Sequence, residues 1–149
     1  MTSDIWNGRF AGPGSPTNMQ LGYLIMRLML GINLFQHGFM RYLTGVSNWE
    51  RPMAESFVGT FLPQPFVHAV LYTIPAVELV LGTLLLLGLF TRWAVPGSVV
   101  LFLVLAYGHG VRQNWAGIHL IMHYSIYFWI LLVLQNQNWL ALDNKRATT

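Results

Sequence analysis

Residues 67–90 read VHAVLYTIPAVELVLGTLLLLGLF, and this stretch decides the fold. It is longer than the about 20 mostly apolar residues that an α-helix needs to cross the hydrocarbon core of a bilayer. A buried β-strand is also continuously apolar, but strands run only about 4 to 8 residues. Length therefore selects a membrane-spanning helix. Within it Glu78 is an acid placed where lipid would leave it unsolvated.

Working outward, three more apolar runs are bounded by polar or Trp-bearing turns: Leu21 to Met40 before it, then Trp93 to Gly110 and Trp115 to Leu134 after it. The sequence thus predicts an all-α membrane protein, an antiparallel four-transmembrane-helix bundle with helices at about 19–41, 67–90, 93–110 and 115–135. This domain, 19–142, lies between a polar N-terminal tail, 1–18, and a C-terminal tail, 143–149. The N-terminal tail has no small-residue cleavage pattern after a short apolar core, so the first helix reads as a retained signal anchor.

The connections differ. Only Thr91 and Arg92 separate the second and third spans, which demands a tight hairpin with Thr91 as an N-cap and Pro96 in the first turn. Between the first two spans the chain carries Pro52, Pro63 and Pro65. There, Phe57, Phe61 and Leu62 fall near one another at helical spacing and predict a short interfacial helix over 54–62.

Composition agrees with a lipid setting. Of 149 residues 54% are hydrophobic and 9% charged. Eight Lys and Arg against five Asp and Glu give a net charge of +3, without the basic run that nucleic-acid binding uses. There is no cysteine, which excludes disulfides, thiolate nucleophiles, cysteine-ligated iron–sulfur clusters and c-type haem attachment within this chain. No covalently bound cofactor is expected. With both termini on one side, Arg9, Arg92, Lys145 and Arg146 outnumber Arg41, Arg51 and Arg112, which favours cytoplasmic termini. Trp49 and Trp115 near one boundary, with Trp93 and Trp139 near the other, fit interfacial aromatic belts.

Charges inside the spans point to sites. An Arg or Asp at a helix centre costs about 2.5–3.5 kcal/mol on insertion scales, so each needs a partner or a task. Arg27 lies about 12 Å from the start of the first helix and Glu78 about 18 Å from the same membrane face, at 1.5 Å per residue. An extended arginine spans that offset. An Arg27–Glu78 ion pair would lock two helices together, or it would tune a proton or quinone site. Arg27, Gly31, Leu34 and Gly38 share one helical stripe, as do Glu78 and Gly82, so small residues and charge face inward together. Pro75 frees the carbonyl of Leu71, either kinking the helix or offering an acceptor.

A second constellation gathers toward one membrane face. His37, His109, His119 and His123 all fall there, bordered by Arg41, Arg112, Gln36 and Gln113. Neutral imidazole hydrogen-bonds a quinone carbonyl and relays its proton, which makes His37, His109 and His123 the candidate catalytic groups. Arg41 and Arg112 are candidates to hold an anion by charge-assisted hydrogen bonds, or to snorkel toward lipid phosphates. His119 and His123 are four apart, a metal-ligand spacing that His109 would complete, although such a pair is more often merely hydrogen-bonded. Ser98, Phe102, Leu105, His109 and Arg112 form one stripe, and Tyr107, Tyr124 and Tyr127 are available as aromatic walls.

The runs YLIMRLMLGINLFQHGFMR (23–41), PAVELVLGTLLLLGLFTRWA (75–94) and NWLALDNK (138–145) resemble the DoxX/DoxD group of four-helix membrane proteins. The resemblance extends over nearly all of 21–143: an Arg in helix one, a Glu in helix two followed by GLFTR, then RQNWAGIH (112–119), then a terminal LD. DoxD is the membrane subunit of a thiosulfate:quinone oxidoreductase. The resemblance therefore implies a prokaryotic inner-membrane protein with a quinone-linked role acting on thiosulfate or a similar sulfur anion. It places Arg27, Glu78 and Arg92 at family-like positions. With the anion on Arg41 and Arg112, Arg27 and Glu78 would set the polarity of the quinone pocket. Expected partners are membrane lipid, quinone and either other subunits of a membrane complex or further copies of this chain, with no nucleic acid. A persulfide route is closed to a chain without cysteine, and the family's partner subunit, a separate chain or region, is not supplied by these residues. A non-catalytic accessory subunit of a larger redox complex is the competing expectation, with a transporter or proton channel third.

Overall fold

A computed structural model describes Gly8, Arg9 and residues 14–143. Most of the two terminal tails, including Lys145 and Arg146, thus lies outside the described residues. Among the described residues the chain forms five α-helices: α1 Asn18–Thr44, α2 Val46–Glu55, α3 Gln64–Leu87, α4 Thr91–Val111 and α5 Trp115–Val133, followed by a 3-10 turn at Gln135–Gln137. Helices α3, α4 and α5 are long and apolar enough to cross a membrane. Helix α1, at 27 residues, has the length but is diluted by Arg27, Asn33, Gln36, His37 and Arg41.

The helix ends follow from local chemistry. Thr17 opens α1 with a capping box, its hydroxyl accepting from Gln20 N while the Gln20 side chain accepts from Thr17 N. Gly45, at φ 89, ends α1 three residues beyond the expected 41. The chain then starts α2 at once. The predicted helix over 54–62 is corrected to Val46–Glu55, with Pro52 inside it and turns after Ser56. Phe57 is buried whereas Phe61 is 75% exposed, so those two residues do not share the apolar face that their spacing suggested.

The second span also shifts. Pro63 caps α3 and Pro65 sits in its first turn, where a missing N–H breaks no bond. At the other end Gly88 adopts the left-handed conformation, φ 61, and its N–H returns to Leu84 and Leu85, so Leu89 and Phe90 belong to the turn. Thr91 is the first residue of α4 rather than its N-cap. The capping oxygens come from Asp143, whose carboxylate accepts from Phe90 N at 2.7 Å, Thr91 N at 2.8 Å and the Thr91 hydroxyl at 2.7 Å. A carboxylate at a helix N-terminus both satisfies orphan N–H groups and meets the positive end of the helix dipole.

In lipid no water is released when two apolar faces meet, so helices associate through close packing and interhelical hydrogen bonds. Helices α1 and α3 run antiparallel and approach through glycine: Gly31 lies against Leu86, Gly82 against Phe35, and Gly38 against Leu79 and the Pro75 carbonyl. A Cβ on Gly38 would stand 2.6 Å from both Leu79 N and Pro75 O. This register is fixed by backbone contact. It sets the Arg27 guanidinium beside Gly88 at the far end of α3, and Arg41 beside Glu78. The interior is completed by Leu30, Leu34, Leu71, Ile74, Leu85, Val95, Phe102, Phe128 and Leu131.

Candidate functional site

The register of α1 on α3 divides the buried polar groups into two ends of the bundle. At one end Arg27, 1% exposed, donates to the Asn138 side-chain oxygen at 2.6 Å and to the Leu140 carbonyl at 2.8 Å. Asn138 in turn donates to the Thr91 hydroxyl at 2.9 Å, and Thr91 donates to Asp143. The expected Arg27–Glu78 pair is therefore corrected. Arg27 closes the segment after α5 onto the α3–α4 turn and is not part of the lining of the cavity beside Glu78. Matching depth along two helices was the sequence argument, and the glycine contacts set a different register.

At the opposite end Glu78, 3% exposed, forms an ion pair with Arg41. The Arg41 guanidinium also stacks over the Trp49 ring at 3.9 Å, so α2 holds the cation from above. Beside this pair a cavity of about 650 Å³ is enclosed by α1, α3, α4 and α5, with α2 and Phe57 among its lining. Its walls are largely apolar: Leu34, Val67, Leu71, Ile74, Phe102, Leu105 and Ile121. Polar groups enter it from Asn33, His37, Arg41, Glu78, His109 and Arg112. The lining also includes Phe66, Val100, Leu103 and Tyr107, all exposed on the outside of the bundle, so the cavity reaches the lateral apolar surface.

His109 and Arg112, predicted to share a face, do so with Arg112 Nη2 and His109 Nδ1 at 3.2 Å. Arg112 follows α4, donates to the Ser56 hydroxyl at 3.1 Å and to the Gly108 carbonyl at 3.3 Å, and sits over the Phe57 ring at 5.0 Å. Burial lowers its pKa from the ordinary arginine value, yet it stays a cation at neutral pH. Gly117 of α5 provides room for the imidazole, since a Cβ there would come within 2.9 Å of His109 Cγ.

Other expected residues fall elsewhere. His37 reaches the cavity from an exposed position, its Nδ1 within 2.8 Å of the Asn33 carbonyl. His119 and His123 are exposed on α5 and lie outside the cavity lining, so His123 is not brought to His37 and His109. Among the described residues no three His, Asp or Glu side chains gather as metal ligands, and the His109, His119 and His123 set is not assembled. Tyr107 and Tyr124 line the cavity, whereas Tyr127 packs edge-on against Tyr124 with centroids 6.0 Å apart.

Three features had little signal in the sequence. Trp49 reads as an interfacial tryptophan, Asn138 and Asp143 as a polar exit from the last helix. Glu50, 1% exposed on α2, bonds His68 Nδ1 at the start of α3 and so ties α2 to α3. Glu50 stands in a mixed polar segment, VSNWERPMAE, and the histidine near the start of the next span, His68, was the available hint.

The assembled site is an apolar chamber open toward lipid, with one neutralised ion pair and one further cation next to an imidazole. Such a chamber accepts an amphipathic ligand whose polar head carries hydrogen-bond acceptors. No curated protein and no solved structure matches the chain. A family model, DoxX, does match it over residues 22–110, from the start of α1 to the end of α4. That match spans more than half of the sequence and includes Arg27, Arg41, Glu78 and His109. This integral membrane protein, with its three strongly apolar helices, belongs to the DoxX family.

Proposed function

We propose that the chain is the quinone-binding membrane subunit of a DoxD-like oxidoreductase acting on thiosulfate or a similar sulfur anion. The observation that supports this reading is the polarity gradient of the cavity. Its polar groups concentrate around Arg41–Glu78 and His109–Arg112, while its apolar walls continue out to the lateral surface through Val100 and Leu103. An isoprenoid tail would lie along those walls. The quinone head would meet His109, whose Nδ1 accepts from Arg112 and whose Nε2–H donates to a quinone oxygen, while His37, with its Nδ1–H on the Asn33 carbonyl, would relay protons through Nε2. Arg112, beside Ser56, would hold the anion, and juxtaposition of anion and quinone would be the main catalytic device.

In this proposal α1 is the fourth span of a four-helix bundle in an inner membrane. Its 27 residues cover about 40 Å at 1.5 Å per residue. Its charges are satisfied inward, by Asn138 and Leu140 at one end and Glu78 at the other, as intramembrane charges require.

The experiment uses the full chain purified in detergent. A short-chain quinone analogue is titrated against tryptophan fluorescence, and thiosulfate-dependent loss of quinone absorbance is followed separately. Saturable quenching that shrinks in Trp49→Phe, together with turnover, is the expected result. Quenching without turnover supports the second reading, an accessory subunit that holds quinone for another chain. That reading is favoured by the complete absence of cysteine, because any thiolate step must come from elsewhere. An absence of quenching defeats both.

A further inference from the structure

Helix α5 is the least enclosed of the three apolar helices: 11% of its apolar stretch is buried, against 33% for α3 and 28% for α4. Its core face carries Tyr124, Phe128 and Leu131. The face turned away carries Ala116, His119, His123, Ile126, Ile130 and Val133, with successive spacings of three, four, three, four and three. That alternation is the seam of a left-handed helix pair, which carries contact residues every 3.5 positions on average. Ile126 and Val133 are 57% and 58% exposed.

The two histidines make lipid a poor neighbour for this seam. His123 lies about 12 Å along α5 from Trp115 at 1.5 Å per residue, close to the middle of a 19-residue helix. Ionisable side chains at that depth face protein or water, not acyl chains. The His123 Nδ1–H donates to the His119 carbonyl at 2.7 Å, which leaves Nε2 as an outward acceptor. The His119 ring, one turn away on the same face, has no side-chain partner among the described residues and supplies an N–H donor.

We propose that two copies of this chain pair through α5. Around a two-fold axis along the membrane normal the helices run parallel, and each residue pair is made twice. His119 of one copy donates to His123 Nε2 of the other, and the reverse bond forms by symmetry. Donor and acceptor are thus both present on a single surface, which favours a second copy over an unrelated helix. The Ile126, Ile130 and Val133 side chains pack below this polar step. As with a polar residue in a coiled-coil seam, the histidines fix the register.

The chain's lack of cysteine gives a clean test. Single-cysteine variants Ile126→Cys, Ile130→Cys and Val133→Cys are oxidised in proteoliposomes, with Leu103→Cys on the exposed face of α4 as control. Disulfide-linked dimers at the three seam positions and none at Leu103 are expected, together with a protein mass in mild detergent of twice 16.9 kDa. In the Ile126→Cys background, His123→Leu should lower the cross-linked fraction at limiting protein by about tenfold, and His119→Gln, which keeps a donor, should retain most of it. A monomeric mass without cross-links, or equal cross-linking at Leu103, overturns the proposal. So does cross-linking at the seam that His123→Leu leaves unchanged.

Discussion

Arg41, not Arg27, neutralises Glu78. The pair is made across α1 and α3 at the cavity end, and the indole of Trp49 covers the cation. Removing one member of a buried pair leaves an uncompensated charge and costs about 3–5 kcal/mol, whereas removing both together is often close to neutral. Arg41→Met should therefore lower the thermal midpoint strongly, and Arg41→Met with Glu78→Leu should recover most of it. Arg27→Met should not couple to Glu78→Leu beyond about 0.5 kcal/mol, since the two sites share no partner. Strong coupling between Arg27 and Glu78 in that cycle would restore the pairing expected from depth alone.

The Asp143 cap should contribute on the scale of a side-chain N-cap, about 0.5–2 kcal/mol. Asp143→Ala is expected to lower the thermal midpoint and to open the α3–α4 turn, seen as faster amide exchange at Thr91, while leaving quinone quenching in place. Unchanged exchange at Thr91 would mean that the cap contributes nothing.

Glycine contacts set the register of α1 on α3, so their substitution is a test of that register. Gly38→Ala and Gly82→Ala should each destabilise by about 1–3 kcal/mol, the range for overpacking a close contact. Gly22→Ala, with nothing within 4 Å, should be neutral or slightly stabilising. Thermal unfolding in detergent reads all three, and equal effects at Gly22 and Gly38 would argue against the register.

At the cavity, His109→Ala should reduce thiosulfate-dependent turnover by about 10²–10⁴, the usual contribution of a general acid. Arg112→Ala should mainly raise the half-saturating thiosulfate concentration. His123→Ala should leave turnover per chain within about twofold, because its ring lies outside the cavity. A His123 variant as inactive as the His109 variant would move the proposed site to the outer face of α5.

The helices were legible because lipid imposes a length that few other structures satisfy: 67–90, 93–110 and 115–135 each overlap a helix to within a few residues. The His109 and Arg112 partnership was legible because three residues bring side chains onto one face of a helix. The partner of Glu78 was not, since a periodic stripe gives the inward face but not the sliding position of one helix along another. Backbone contacts at Gly38 and Gly82 decide that position. His123 was placed by depth alone, and depth does not say on which side of α5 a ring points. Asp143 lacked any local signal, because the helix it caps begins 52 residues earlier.

That long separation orders assembly in time. Arg27 is synthesised before its acceptor Asn138, which lies 111 residues later. Until the segment after α5 has emerged, Asn138 and Leu140 are absent as acceptors for Arg27, and Asp143 is absent as the cap of α4. A chain halted before Asn138 would lack both acceptors that Arg27 meets in the folded protein. The hydrogen bond that ties α1 to the segment after α5 is thus one of the last contacts the described residues can make.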